Sequence, residues 1–185
     1  MFWHMKRWAR RNSKYPLLAE WKTLDATGVL WDQRYWEQDL DAMLRFLGPT
    51  GQLAVLEMDL DNFKAVNDTL GHRAGDEALR LFFSVVRKVV NFKGDVYRRG
   101  GDEVLAFAPE LDPTAARTLA EEIRAEVEAK FREWGAPKGL EKPPTTSVGL
   151  VLTSGGGKRD RVIVLMDQAQ RQAKGEGKNR VVCAR

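Results

Sequence analysis

A chain of 185 residues has room for one well-buried domain and not for two of ordinary size. Its 43% hydrophobic and 30% charged residues exclude the disordered and fibrous classes. The net charge of +4 is confined to one end. Residues 1–22 carry +5 and the other 163 sum to −1, so the basic pI does not mark a nucleic-acid-binding body.

The start, Met1 to Lys14, is basic, but no apolar run or small-residue cleavage site follows it, which argues against a secretory signal. The longest apolar runs, such as Leu81 to Val86, are too short to span a bilayer, so membrane contact is not expected. Cys183 stands alone and cannot form an internal disulfide. These features fit a cytoplasmic protein. Residues 1–22 set Trp3, Trp8 and Trp21 among basic residues and read as an extension. It could dock on the domain, pair with a partner, or lead from an upstream segment. Residues 23–185 form the domain proper.

From Trp31 to Leu47 the apolar residues recur at helical spacing, and Gly48-Pro49 ends that helix. Leu53 to Asp59 reads as a buried strand ending in carboxylates. Leu60 to Leu70 reads as a short helix broken by Gly71. A further helix starts near Asp76 and carries Leu79, Phe82, Val86, Val89 and Val90 on one face. Asp95 to Arg99 and Glu103 to Phe107 form a hairpin around Gly100-Gly101. Asp112 is a good N-cap with Pro113 behind it, opening a long helix to about Trp134. Thr145 to Leu152 is a strand, Arg161 to Lys174 a helix and Arg180 to Ala184 a last strand. This order predicts an α+β sandwich: a ferredoxin-like βαββαβ palm with a central antiparallel sheet flanked by helices and additions at both ends. Fold alone decides nothing about chemistry.

Asp59 and Asp61 lie at the C-terminal end of the first core strand, and Asp102-Glu103 sit in the hairpin beside Gly100-Gly101. If the two strands are neighbours, Asp59 converges with the Asp102-Glu103 pair. Such carboxylates repel unless a cation neutralises them, and hard oxygen donors suit magnesium or manganese. Taken alone, Gly100-Gly101-Asp102 is a tight turn with solvated acids.

The run Asp59-Leu60-Asp61-Asn62-Phe63-Lys64-Ala65-Val66-Asn67-Asp68 is followed by Gly71-His72, Gly75-Asp76 and Arg98-Arg99-Gly100-Gly101-Asp102-Glu103-Val104. Ser147-Val148-Gly149, Ala173-Lys174 and Gly177-Lys178-Asn179-Arg180-Val181 complete the series. In this order the chain resembles the GGDEF family, the diguanylate cyclases, over about Leu24 to Val181.

The resemblance implies a set of roles. Asp59, the backbone carbonyl of Leu60 and Glu103 would hold magnesium, with Asp102 beside them as a further ligand or an aid in deprotonating a ribose 3′-hydroxyl. Gly100 and Gly101 would let the hairpin tip approach the nucleotide. Asn67 and Asp76 would read guanine, since one carboxylate can accept from both N1–H and the 2-amino group; the alternative for Asp76 is a helix N-cap. Lys174 and Lys178, with the backbone around Asn62, Phe63 and Lys64, would grip the triphosphate. His72 would shape a loop rather than catalyse.

The implied reaction joins two GTP molecules into cyclic di-GMP across a homodimer, with an upstream sensor or partner protein as regulator. Alternatives are a GGDEF-like module that binds GTP or a cyclic dinucleotide without turnover, and a cyclase making a different cyclic dinucleotide. Two departures stand out. The opening Asp25-Ala26-Thr27-Gly28-Val29-Leu30 is one residue short of the family's usual motif. Asn91-Phe92-Lys93-Gly94 lacks the Arg and Asp of the family's inhibitory product site, which implies no product inhibition there.

Overall fold

A computed structural model describes residues 22–184. Five strands form one sheet: β1 (Gln52–Asp61), β2 (Asp95–Gly100), β3 (Glu103–Pro109), β4 (Thr145–Ser154) and β5 (Val181–Ala184). Their spatial order is β2-β3-β1-β4-β5. The first four pair antiparallel in the palm arrangement predicted above, and β5 adds to β4 in parallel, so the sheet is mixed. Among the described residues five helices flank it: α1 (Trp36–Phe46), α2 (Phe63–Leu70), α3 (His72–Val90), α4 (Pro113–Gly135) and α5 (Arg159–Gly175). No helix among the described residues is long and apolar enough to cross a membrane.

The strand period of two sorts β1 onto two faces. Ala54, Leu56, Met58 and Leu60 meet Val66 of α2, Phe82, Phe83 and Val86 of α3, and Ile123, Val127 and Phe131 of α4. Leu53 and Val55 point the other way, into Leu40 and Met43 of α1, Val162 and Met166 of α5, and Tyr97, Leu105 and Phe107 of the hairpin. β1 is thus buried on both faces, which explains its near-continuous apolar run. The polar exceptions, Glu57, Asp59 and Asp61, all fall on the α1/α5 face.

Some boundaries differ from the sequence reading. Trp31 is not helical. Its backbone bridges β2, with Trp31 N–H donating to the Val96 carbonyl and Arg98 N–H to the Trp31 carbonyl. Asp32 then caps a 3-10 turn over Gln33–Tyr35, and α1 starts only at Trp36. The helix expected near Asp76 begins at His72, so Asp76 lies inside α3 and is not its N-cap. By contrast Asp112 does cap α4, accepting from Ala115 N–H at 2.8 Å, with Pro113 in the first turn. Residues 1–21 of the Trp-rich extension lie outside the described residues. Lys22 is built into the body: its ammonium is buried against Asp39 and reaches Tyr97 Oη at 3.2 Å.

Candidate active site

The β1–β3 register places Asp59 directly opposite Glu103. Glu103 opens β3 immediately after the hairpin tip, where Gly101 takes a φ of +46°, a conformation that glycine adopts without a side-chain penalty. On its other side Asp59 faces Ser147 of β4. From α5, Lys174 sets its Nζ 2.7 Å from Asp59 Oδ2. Asp59, Asp102, Glu103 and Lys174 therefore gather at one end of the sheet, as the strand assignment required.

This is a costly place to hold negative charge. Burial raises the Asp59 carboxyl above the usual range, and the Asp102 and Asp61 charges push the same way against the bond from Lys174. Burial likewise raises Asp102, with Glu103 adding repulsion and Lys174 opposing it. Among the described residues no three acidic, histidine or cysteine side chains are drawn together closely enough to enclose a metal ion. The donor set still fits a hard cation. Two carboxylates face one another across a strand pair, and Asp59 already holds a positive charge, the Lys174 ammonium.

The turn from β1 into α2 supplies a second feature. Asn62 precedes α2 with φ +62° and leaves the first turn of the helix without a side-chain cap, so the backbone at Phe63 and Lys64 starts an open helix N-terminus. Lys178 reaches across from the α5–β5 turn and donates to Asn62 Oδ1 at 2.7 Å. The two lysines thus converge on the end of β1 and the turn that follows it, Lys174 on Asp59 and Lys178 on Asn62.

Asn67 lies over Gly75, the residue before Asp76. Gly75 is buried, and a Cβ there would stand 1.9 Å from Asn67 Oδ1, so the amide lies directly over the glycine. Asp76, the next residue, is exposed. His72 is exposed at the start of α3. The hairpin tip is tied back by Arg98, whose guanidinium donates to the Gly101 carbonyl at 2.8 and 3.0 Å and to Asp25 at 3.3 Å. Asp25 in turn accepts from the backbone of Thr27, Val29 and Leu30. The shortened opening motif therefore still makes a closed turn that holds the hairpin.

The family profile described as "Diguanylate cyclase, GGDEF domain" matches residues 22–180. The chain belongs to the GGDEF family. Among curated relatives it is 36% identical to the diguanylate cyclase DosC of Escherichia coli K12 over 129 residues, which is 70% of this chain and 28% of DosC. It is 32% identical to the diguanylate cyclase DgcM of the same strain over 159 residues, 85% of this chain and 37% of DgcM. The chain thus spans well under half of either relative. Its fold is similar to the GGDEF domain of DgcB from Caulobacter crescentus, solved with c-di-GMP, at a TM-score of 0.77 and 28% identity over 86% of this chain and 94% of that one.

Two groups in this GGDEF domain were given no role from sequence. Glu57 lies two residues before Asp59 on the same face, 4% exposed. It pairs with Arg99, the residue at the β2 bulge, which also donates to Asp167 of α5 at 2.9 Å and lies over the Trp36 ring of α1. Burial, helped by the Asp167 and Glu103 charges and opposed by Arg99, pushes the Glu57 carboxyl up to about 7. For Arg99 the balance is opposite: its bonds and charges to the two acids overcome burial and raise it. The second group is Asp61, only 2% exposed, whose carboxylate is fully engaged by β4 and the α5–β5 turn. Both involve partners 42 or more residues away, a pairing that no local pattern announces.

Proposed function

We propose that this GGDEF domain condenses two GTP molecules into cyclic di-GMP, each 3′-hydroxyl attacking the α-phosphate of the other nucleotide and releasing pyrophosphate. The observation that carries this reading is the placement of Asp59 opposite Glu103 beside Gly100-Gly101, with Lys174 on Asp59. The GGDEF domain of DgcB, similar over nearly its whole length, is bound to c-di-GMP in its solved structure, which supports the same product class.

In this reading Asp59, Glu103 and the Leu60 carbonyl would hold magnesium. The bound ion would neutralise phosphate charge and favour the 3′-alkoxide. Lys174 exchanges part of its bond to Asp59 for the triphosphate, and Lys178 and the open first turn of α2 take the remaining phosphate charge. Asp102, its carboxyl raised by burial, would receive the proton from the attacking hydroxyl. Asn67 and Asp76 select guanine. Since each domain presents one such site at one end of its sheet, two domains must face each other for a cycle to close, and a homodimer is part of the proposal.

The test is incubation of the chain with magnesium and GTP, ATP or both, with products identified by mass spectrometry. Cyclic di-GMP from GTP alone is expected, and Asp102→Ala with Glu103→Ala should lower the rate by about a hundredfold or more. Adenine-containing products would overturn the role of Asp76. GTP binding without product, even when a coiled coil is fused to force pairing, would leave a binding module instead.

A further inference from the structure

Asp61 ends β1 on the same face as Asp59, yet its carboxylate does not join the cation site. Its Oδ2 accepts from Thr145 Oγ1 at 2.8 Å and from the Asn179 backbone N–H at 3.1 Å, and its Oδ1 accepts from Ser147 Oγ at 2.7 Å. Both oxygens are committed to holding protein. What they hold is a turn that needs holding. Lys178 and Asn179 are consecutive non-glycine residues in the left-handed region, at φ +66° and +45°. Arg124 of α4 grips the same turn through Asn179 Oδ1 at 3.0 Å, and Lys178 N–H donates to the Ala173 carbonyl at 3.0 Å.

One residue along each chain, Asn62 Oδ1 receives Lys178 Nζ at 2.7 Å. Consecutive residues Asp61 and Asn62 therefore clasp consecutive residues Asn179 and Lys178. A lysine is a point charge on a flexible stem, so its aim depends on the backbone that carries it.

We propose that Asp61 is a positioning residue, which locks the Lys178-Asn179 turn so that Lys178 meets the nucleotide's phosphates at the mouth of the β1–α2 loop. This rests on the reading of Lys178 as a triphosphate grip. It assigns Asp61 no charge role toward the cation: its work is hydrogen-bond acceptance. Asn at this position can keep all three bonds. Its Oδ1 takes the place of Oδ2, and its NH2 donates to Ser147, whose hydroxyl reverses from donor to acceptor.

The decisive experiment measures binding of a GTP analogue with a non-hydrolysable α,β-bridge, in magnesium, by calorimetry, beside steady-state kinetics with GTP. Asp61→Ala should weaken binding roughly tenfold and raise KM while kcat stays within about threefold. Asp61→Asn should restore affinity to within about threefold of wild type. In a Lys178→Ala background, Asp61→Ala should add almost nothing, because both act through one contact. Should Asp61→Ala fail to fold, Thr145→Val removes one of the donors aiming the carboxylate at little change in shape, and a KM rise of about twofold or more is expected. Equal loss in the Ala and Asn variants would overturn the proposal in favour of a charge role. Unchanged binding in Asp61→Ala or unchanged KM in Thr145→Val would overturn it while leaving the nucleotide site in place. A wild-type chain that binds no analogue would overturn both.

Discussion

At the scale of single residues, Gly75 separates function from folding. A Cβ there would collide with Asn67 Oδ1 at 1.9 Å and with Asn67 Cγ at 3.0 Å, and no backbone atom is among its nearest contacts. The obstacle is the end of a rotatable side chain, so the fold can yield by turning the amide away. Alanine is also the better helix former inside α3. Gly75→Ala should therefore keep the melting temperature within a few degrees, raise KM for GTP about tenfold and narrow the preference for GTP over ATP. A variant with wild-type selectivity would remove Asn67 from base recognition. The acids, glycines and lysines of this site were legible because their types and spacing are distinctive. Asp61 was visible as an acid but not as a clasp, since its partners Thr145, Ser147 and Asn179 stand 84, 86 and 118 residues away.

Among elements, α5 carries Lys174 to Asp59 and can do so because it lies close on the sheet over Gly149. A Cβ at position 149 would meet the Gln170 backbone nitrogen at 2.7 Å and the Met166 carbonyl oxygen at 2.9 Å, helix atoms that cannot rotate aside. Gly149→Ala should lift α5, cost about 1–3 kcal/mol by urea denaturation and reduce turnover through Lys174. Full stability with lost turnover would refute the spacer role. The same scale shows why element order was readable while some ends were not. Alternating and 3.6-residue patterns, with Asp112-Pro113 as an explicit start, located the βαββαβ series. Trp31 matched the helical spacing, but its backbone serves β2, and the start signal, Asp32 accepting from Arg34 N–H at 3.0 Å, lay one residue beyond it. The sequence put the start of the next helix near Asp76, whereas α3 begins at His72 and runs through Gly75, over which the Asn67 amide lies.

Across the whole molecule, the α1/α5 face gathers the buried Glu57, Asp59 and Asp61 and the half-buried Glu103 against Lys174 and Arg99, an excess of acid that makes stability depend on pH. Glu57 has its folded pKa raised to about 7 from 4.5. Between those values the folded state keeps a proton that the unfolded state has lost, so this contribution is full at low pH and is lost as pH rises through about 7. Glu57→Gln cannot ionise. In metal-free protein its urea midpoint should gain on wild type between about pH 5 and about pH 8, and parallel behaviour of the two would dismiss the effect.

The bridge from Trp31 to β2 has a consequence for how two such domains can meet. A bare outer strand is an invitation to join sheets end to end, a contact that is long-lived and hard to undo. Here Trp31 takes up the Val96 carbonyl and the Arg98 N–H along that border, and its indole donates to Asp95 at 3.1 Å. Copies are steered away from fusing along β2 and toward meeting through side-chain surfaces. Under the proposed reaction, that kind of encounter could be repeated, the domains parting after each product so that the next pair of nucleotides enters.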